Sequence, residues 1–500
     1  MRNPANDPRS NGPRDGAHGD SVDPVDDSEE LEVEFVELVD DELEDEVLVA
    51  DEDTPEVEVT ELSEADFVED EPIQIEILDE SGLPVEIDLP AATEPATATA
   101  TEAAPDKPPA AETAPPPPPP PPKQLVLIGA GHTHLQILKW WRRRPFARTE
   151  LTLVTAFDHA AYSGMLPSTL AGLYKPEQML IDLPKLCDHC GVRLIVDRAN
   201  RLDPVNRVVE FAHQPALEFD VAAVNIGSVP AAEPLWQSHR ILISVKPLST
   251  FLQRFDVRFR ELVEQFRMAP GPELLQIVVV GAGAAGIEMA LCLEQHKHEL
   301  ELPADVRVVD GNSQVLEGFS PRTVRKVEKL LKLRGIDLSL GSPVVDCEDE
   351  GPGVLVLENG NRIRADLVIW AAGAAPPMAL RGFDLPKTNR GFLAARRTLQ
   401  STADVPVFVS GDSADIEACD IPKAGVFAVR QAPILWRNMQ SYLNGQPLVD
   451  FRPQSGFLRI ISCGDGTAVM DYKGFASHSS FAWSLKNWID RGWVRKFQIR

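Results

Sequence analysis

Two glycine-rich stretches, "GAGHTH" at 129–134 and "GAGAAG" at 281–286, each follow an apolar run and open onto a helical pattern. In the second, Gly281, Gly283 and Gly286 keep the full G-x-G-x-x-G spacing. The first glycine of such a turn allows a tight bend. The second lets the backbone approach a pyrophosphate at the positive end of a helix, and the third lets the helix lie close to the strand. Asp310 ends the next apolar run, "VRVVD". A carboxylate there accepts hydrogen bonds from an adenosine ribose and repels a 2′-phosphate. The set predicts a nucleotide site that prefers NADH to NADPH, with Arg307 as a residue that would weaken the preference. The first stretch keeps Gly129 and Gly131 but has His134 where the third glycine belongs. Thr155 ends its following strand where an acid is expected, and a hydroxyl holds a ribose less strongly than a carboxylate. Taken alone, this turn fits a cofactor site and a structural bend equally well.

Two further segments share one form: an acid, a buried strand and a glycine turn. They are "FDVAAVNIGSVP" at 219–230 and "ADLVIWAAGAAPP" at 365–377, the latter turning at Gly373. A third strand, within "VPVFVSGDSAD" at 405–415, ends in Gly411 and Asp412. A carboxylate at such a strand end can hold the ribityl chain of a flavin.

Short apolar strands alternating with helical patterns predict an α/β fold. The strand–glycine turn–helix unit near residue 125 recurs near residue 277, so the chain reads as an internal duplication with two dinucleotide sites. Ahead of it, residues 1–120 hold 37 Asp/Glu and 4 Lys/Arg, a net charge of −33, while the remainder is near neutral at +4. Residues 1–114 are expected to be a disordered acidic arm that buries too little apolar surface to offset its ordering entropy. Its stretches "LEVEFVELV" and "IQIEILDESGLPVEIDL" read as solvated tail, or as segments that fold on a partner. The prolines at 115–122 predict a stiff spacer. Six cysteines are too few for a disulfide scaffold and suit a reducing compartment. No secretory signal or membrane-spanning run is expected from the sequence.

The order of glycine turn, G-S-x-P, second glycine turn, A-A-G and G-D resembles the two-dinucleotide flavoproteins, which include the pyridine nucleotide-disulfide reductases. "GAGHTHLQIL", "YSGMLPSTLAGLY", "KAGVFAVRQAPILWRN" and "LKNWIDRGWVRKF" most resemble type II NADH dehydrogenase-like proteins. That group includes the flavoprotein half sometimes fused to selenide, water dikinase. The resemblance runs from about Gln124 to Arg500, and a kinase domain is not expected. It implies two Rossmann-like domains, an FAD domain (123–245 and 366–445) interrupted by an NAD domain (246–365), with a C-terminal domain at 446–500. It implies that Gly129, Gly131, His134 and Thr155 belong to an FAD turn, that Asp412 contacts the ribityl chain, and that Gln431 lies near the isoalloxazine ring. Tyr162–Pro167 would flank the flavin. Disulfide reductases carry C-x4-C there; "YSGMLPS" holds no cysteine, so a dithiol relay is not expected. Type II enzymes place glutamines in A-Q-x-x-x-Q-Q beside the quinone. Here Val426 and Arg430 replace two of them, and Gln431 remains.

Three further features carry more than one reading each. Cys187 and Cys190 form C-x-x-C, either two helix-packing residues, a redox pair or, with His189, half a zinc site for which no second C-x-x-C supplies the other ligands. Glu288 stands where type II enzymes have a glutamate near the nicotinamide–flavin contact, and is otherwise a surface acid favoured by the helix N-terminus. The C-terminal segment spaces Phe481, Leu485, Trp488, Ile489, Trp493 and Phe497 among Lys486, Arg491, Arg495, Lys496 and Arg500. That suits a membrane-surface helix as well as one packed on the flavin domain or at a dimer interface. The basic-aromatic "KWWRRRPFAR" at 139–148 reads as a solvated helix end, with docking of the acidic arm as the alternative.

The expected function is an FAD-dependent oxidoreductase taking hydride from NADH and passing electrons to an acceptor such as a quinone. Two alternatives are a sulfide- or selenide-linked flavoprotein using a cysteine, and a non-catalytic interaction protein on the same fold. Expected partners are NADH, the acceptor, a membrane surface through the C-terminal helix, and a second copy in a homodimer. Nucleic acid and metal are not expected. The expected location is cytoplasmic, on or near the membrane face.

Overall fold

The computed structural model describes residues 120–231, 239–268, 274–348, 353–454 and 456–499. The expectations for the acidic arm and for most of the proline spacer lie outside these residues.

Two five-stranded parallel sheets position everything else. Strands β1 (Lys123–Ile128), β2 (Thr149–Thr155), β3 (Arg193–Val196) and β4 (Val221–Val224) join a late strand in the first. The second is built from β5 (Leu242–Ser244), β6 (Leu275–Val280), β7 (Ala304–Val309), β8 (Asp337–Ser339) and β9 (Leu367–Trp370). The late strand is β10 (Val407–Val409), and the orders are β10-β4-β1-β2-β3 and β5-β9-β6-β7-β8. One sheet is therefore left, the other completed, and the first re-entered. The crossing points differ from the sequence reading. Strands β5 and β9 belong to the second sheet, although the segments 123–245 and 366–445 place them in the first. Backbone pairing decides this, and composition does not display it.

The central strands are apolar on both faces, as parallel sheets covered by helices require. Leu125–Ile128 and Ile277–Val280 are all buried. The duplication extends to single hydrogen bonds. At the start of β1, Gln124 N donates to Asp220 (2.7 Å) and Asp220 N returns one to Gln124 O (2.8 Å). At the start of β6, Gln276 N donates to Asp366 (2.8 Å) and Asp366 N to Gln276 O (2.8 Å). The acid preceding each strand thus fixes the register of the pair.

Helix α1 (His132–Arg143) follows β1, and α2 (Leu183–Cys190) ends at Gly191, whose φ of 64° suits glycine. Helices α3 (Leu248–Met268) and α4 (Ala284–Glu299) flank the second sheet, with α5 (Pro321–Leu333) beyond. After β10, α6 (Gly425–Leu443) packs on α1. Three antiparallel strands, β11 (Arg459–Ser462), β12 (Ala468–Tyr472) and β13 (Phe475–Ser479), lead into α7 (Ser480–Arg495). The Ser479 hydroxyl caps α7 by accepting from Ala482 N. Among the described residues no helix is long and apolar enough to cross a membrane.

Candidate functional site

The glycine turns sit at the carboxyl ends of the parallel strands, where open α/β sheets bind ligands. In the second turn Gly281 has φ +121°, a conformation that favours glycine, and its N donates to Val309 O (2.8 Å). A Cβ on Gly286 would lie 1.8 Å from Gly281 O, so α4 sits as close to the strand as a bare backbone allows. A Cβ on Gly283 would meet nothing within 4 Å. That open space lies where a pyrophosphate would approach. Asp310 accepts from Ala282 N (2.6 Å) and Asn312 N (2.7 Å), so the acid at the β7 end also shapes the turn. Arg307 is held by Asp337 at 2.8 Å, which leaves it poorly placed to meet a 2′-phosphate.

The first turn reaches the same shape by other contacts. Gly129 has φ +95° and donates from N to Val154 O (2.7 Å). Its carbonyl, the counterpart of Gly281 O, meets the His134 ring at Nδ1 (2.6 Å). Where α4 needs a glycine to touch that carbonyl, α1 stands off and fills the gap with an imidazole. Burial lowers the His134 pKa to about 4, against the opposing pull of the Gly129 carbonyl. The ring is therefore neutral with its proton on Nδ1, and Nε2 is a buried acceptor without a hydrogen-bond partner among the described residues.

Asn225, at the end of β4, fastens this turn and is 2% exposed. A Cβ on Gly131 would lie 1.6 Å from Asn225 Oδ1, and one on Gly411 would lie 2.4 Å from Asn225 Nδ2. Asn225 Nδ2 donates to Ser410 Oγ (3.1 Å). Gly411 N donates to Gln431 Oε1 (2.6 Å), tying α6 to the G-D segment. Asp412 accepts from Ser228 Oγ (2.8 Å) and faces Lys246 Nζ at 3.3 Å. Thr155 is buried at its strand end and accepts from Phe157 N at 3.4 Å. Gly373, φ +66°, belongs to a segment that pairs with the G-S-x-P turn: Val229 N donates to Ala375 O (2.9 Å) and Ala375 N to Val229 O (2.8 Å).

Glu288 is buried, 9% exposed, and this corrects the surface-acid reading. It lies in α4 beneath β11 and α7, accepting from Ser462 N (2.9 Å) and standing 3.5 Å from Lys486 Nζ. Burial pushes its carboxyl pKa up, against the pull of Lys486. Lys486 is itself buried. It pairs with Asp490 at 3.0 Å and donates to Gly164 O at 2.9 Å, within the stretch expected to flank a flavin. Burial opposes the charge on Lys486, but Glu288 and Asp490 outweigh it and hold the ammonium protonated. Asp490 in turn accepts from the Tyr162 hydroxyl (3.1 Å). Trp493 stacks on His132 with centroids 5.6 Å apart, His132 lies 5.6 Å from Tyr162, and the Trp493 indole N–H is buried without a hydrogen-bond partner among the described residues.

The helix packs inward through Lys486, Asp490, Trp493 and Val494, so Lys486, Trp493 and Phe497 are not on a lipid-facing surface. Cys187 and Cys190 are also buried, and burial raises the Cys187 thiol to about 12. Such a thiol is inert at neutral pH, which supports the packing reading. Among the described residues no cluster of His, Cys, Asp or Glu could hold a metal.

Sequence reasoning brought together Gly129, Gly131, His134, Gly411, Asp412 and Gln431, and separately Gly281, Gly283, Gly286 and Asp310. It missed Asn225, Ser228, Lys246, His132 and Asp490, and for the helix of Lys486 it left a membrane surface and packing on the flavin domain both open. Lys486 and Asp490 are spaced i, i+4, so the ion pair was readable; its burial was not.

Residues 123–441 match the family model for pyridine nucleotide-disulphide oxidoreductases. The chain belongs to this family. Among curated relatives, the type II NADH:quinone oxidoreductase of Staphylococcus epidermidis is 25% identical over 373 residues, spanning 70% of this chain and 90% of that protein. Among solved structures, the sulfide:quinone oxidoreductase of Aquifex aeolicus covers 75% of this chain and 92% of its own with a TM-score of 0.63 and 16% identity. The NDH2 of Plasmodium falciparum in complex with NADH covers 75% of this chain and 97% of its own with a TM-score of 0.63 and 13% identity. The two structures establish the fold. None of these three supports the narrower resemblance to the dikinase-fused group. As a family member the chain is a two-dinucleotide flavoprotein, and its open Gly283 cradle fits the close approach of a dinucleotide pyrophosphate.

Proposed function

We propose that this chain is an FAD-dependent NADH dehydrogenase that reduces a quinone-type acceptor: NADH, a proton and quinone give NAD⁺ and quinol. The doubled strand–turn–helix unit, joined by one buried network through α7, carries this reading. The 25% identical relative named as a type II NADH:quinone oxidoreductase supports it. The first sheet with its turn at Gly129–His134 takes FAD, held by Asp412 and supported by Gln431, Gly411 and Thr155. The second takes NADH at Gly281, Gly283 and Gly286, with Asp310 at its ribose and Gly373 where the halves meet. FAD, when bound, supplies a two-electron carrier for the hydride. Glu288 is placed to hold or release a proton at its carboxyl, with Lys486 fixing its orientation and excluding water. The buried thiols favour this reading over one that uses Cys187 or Cys190.

The outer face of α7 leaves Phe481 60% and Trp488 69% exposed, with Arg491 and Arg495 nearby. That face supports peripheral docking on a membrane surface at the cytoplasmic side; self-association into a homodimer is the competing occupant. Anaerobic NADH titration of the purified protein tests the central reading. Bleaching of a yellow flavin spectrum, restored by a quinone, is the expected result. A protein that stays colourless with FAD supplied, or a yellow one that NADH leaves unbleached, rejects it and favours the interaction-protein alternative.

A further inference from the structure

Arg430 lies in α6, next to the Gln431 that holds Gly411 N. Its side chain is half-buried and its Nη1 is closed off from solvent. No hydrogen bond or ion pair reaches the guanidinium among the described residues. Arg459, on the neighbouring strand β11, pairs with Asp471 and lies 3.8 Å over the Phe319 ring. Arg334 is likewise satisfied, by Cys463 O and Asp465. The titratable group acting on Arg430 is the Tyr472 phenol, and burial depresses the guanidinium pKa without a carboxylate to oppose it. An arginine still stays protonated in a protein.

A buried N–H without a partner carries an uncompensated desolvation cost, larger when the group is charged. No anion in the described residues offsets that cost here. Three residues earlier on the same side of the helix, Phe427 meets Phe457 with ring centroids 5.3 Å apart. The seam between α6 and the C-terminal strands therefore combines an aromatic wall with an unmatched cation. We propose that Arg430 receives the acceptor at this seam, and that the acceptor is a flat ring system bearing a negative charge, such as a carboxylate, sulfonate or ionised hydroxyl. A neutral amide would suffice to hold a neutral carbonyl at a smaller desolvation cost. A guanidinium matches a formal anion and can pair with it through two parallel hydrogen bonds. The inference rests on the dehydrogenase reading for its claim that this ligand accepts electrons, and it narrows the substrate class of that site.

The test is calorimetric titration of the FAD-loaded protein with naphthalene-2-sulfonate, a planar anion that cannot be reduced, beside neutral 2-naphthol. The expected result is saturable binding of the sulfonate that weakens about tenfold or more in Arg430→Gln. Arg430→Lys should recover part of it, and 2-naphthol should bind wild type and Arg430→Gln alike. Equal sulfonate affinities in wild type and Arg430→Gln, or no saturable binding by wild type, overturn the proposal. The flavin spectrum and NADH bleaching of each variant report separately on fold and on the dehydrogenase reading. A protein that binds the sulfonate but is not bleached refutes that reading and leaves the anion site standing.

Discussion

Burial holds the His134 imidazole neutral, its pKa lowered from 6.5 to about 4. The unfolded chain takes up a proton near pH 6.5, which the folded chain refuses until about pH 4. This part of the stability is therefore complete above pH 6.5 and lost as pH falls through that window. At 1.36 kcal/mol per pKa unit the loss amounts to about 3 kcal/mol. Urea midpoints followed from pH 7 to 4 should show it in wild type and show it diminished by that amount in His134→Gln. An identical slope in both proteins would place the acid sensitivity elsewhere. At Gly283 a side chain has room in the fold but fills the cradle, so Gly283→Val should retain its melting temperature while NADH affinity drops about 100-fold, the scale of a misplaced binding group. Fluorescence titration with NADH checks this, and normal affinity would remove the turn from the site. Iodoacetamide should leave turnover intact, because the Cys187 and Cys190 thiols are buried and raised in pKa. Inactivation in step with labelling of either residue would revive the thiol alternative.

Helix α7 shows where reading a sequence by elements succeeds and where it stops. Its spacing of aromatic and basic residues announced an amphipathic helix, and Phe481 and Trp488 do face outward. Lys486 and Asp490 face inward, however, because Glu288 and Gly164, far away in sequence, supply Lys486 with partners that a local pattern does not contain. The glycine turns were legible for the opposite reason: much of their geometry is set within six residues, where Gly129 and Gly281 are required by their φ values and Gly286 by its approach to Gly281 O. His134 and Asn225 lie between these cases. The sequence displayed the missing glycine, and the carbonyl that the ring meets lies only five residues back, but the strand ends that the Asn225 amide fastens appear only when β4 and β10 come beside β1. Replacing Lys486 leaves Asp490 and Glu288 without their cation, and breaking such a buried pair costs about 3–5 kcal/mol. Lys486→Met should therefore lower the unfolding free energy by that amount in denaturant titration, and Lys486→Met with Asp490→Leu should recover part of it. A single variant as stable as wild type would mean that the network is hydrated and not structural.

For the whole molecule, the arrangement is two copies of one unit closed by a third element. Docking through the exposed face of α7 predicts co-sedimentation with anionic vesicles, weakened when Phe481→Ser and Trp488→Ser are combined and weakened by salt. Vesicle binding that ignores both changes would direct attention to another surface, and a shift in sedimentation velocity without vesicles would indicate self-association. The closing element also has a consequence for biosynthesis. The box around His132 needs Trp493, and Glu288 needs Lys486, so neither half is finished when its own residues emerge from the ribosome. Capture of the prosthetic group is thereby deferred to the end of translation, and nascent chains that stall before α7 should leave as apoprotein, exposed to proteolysis.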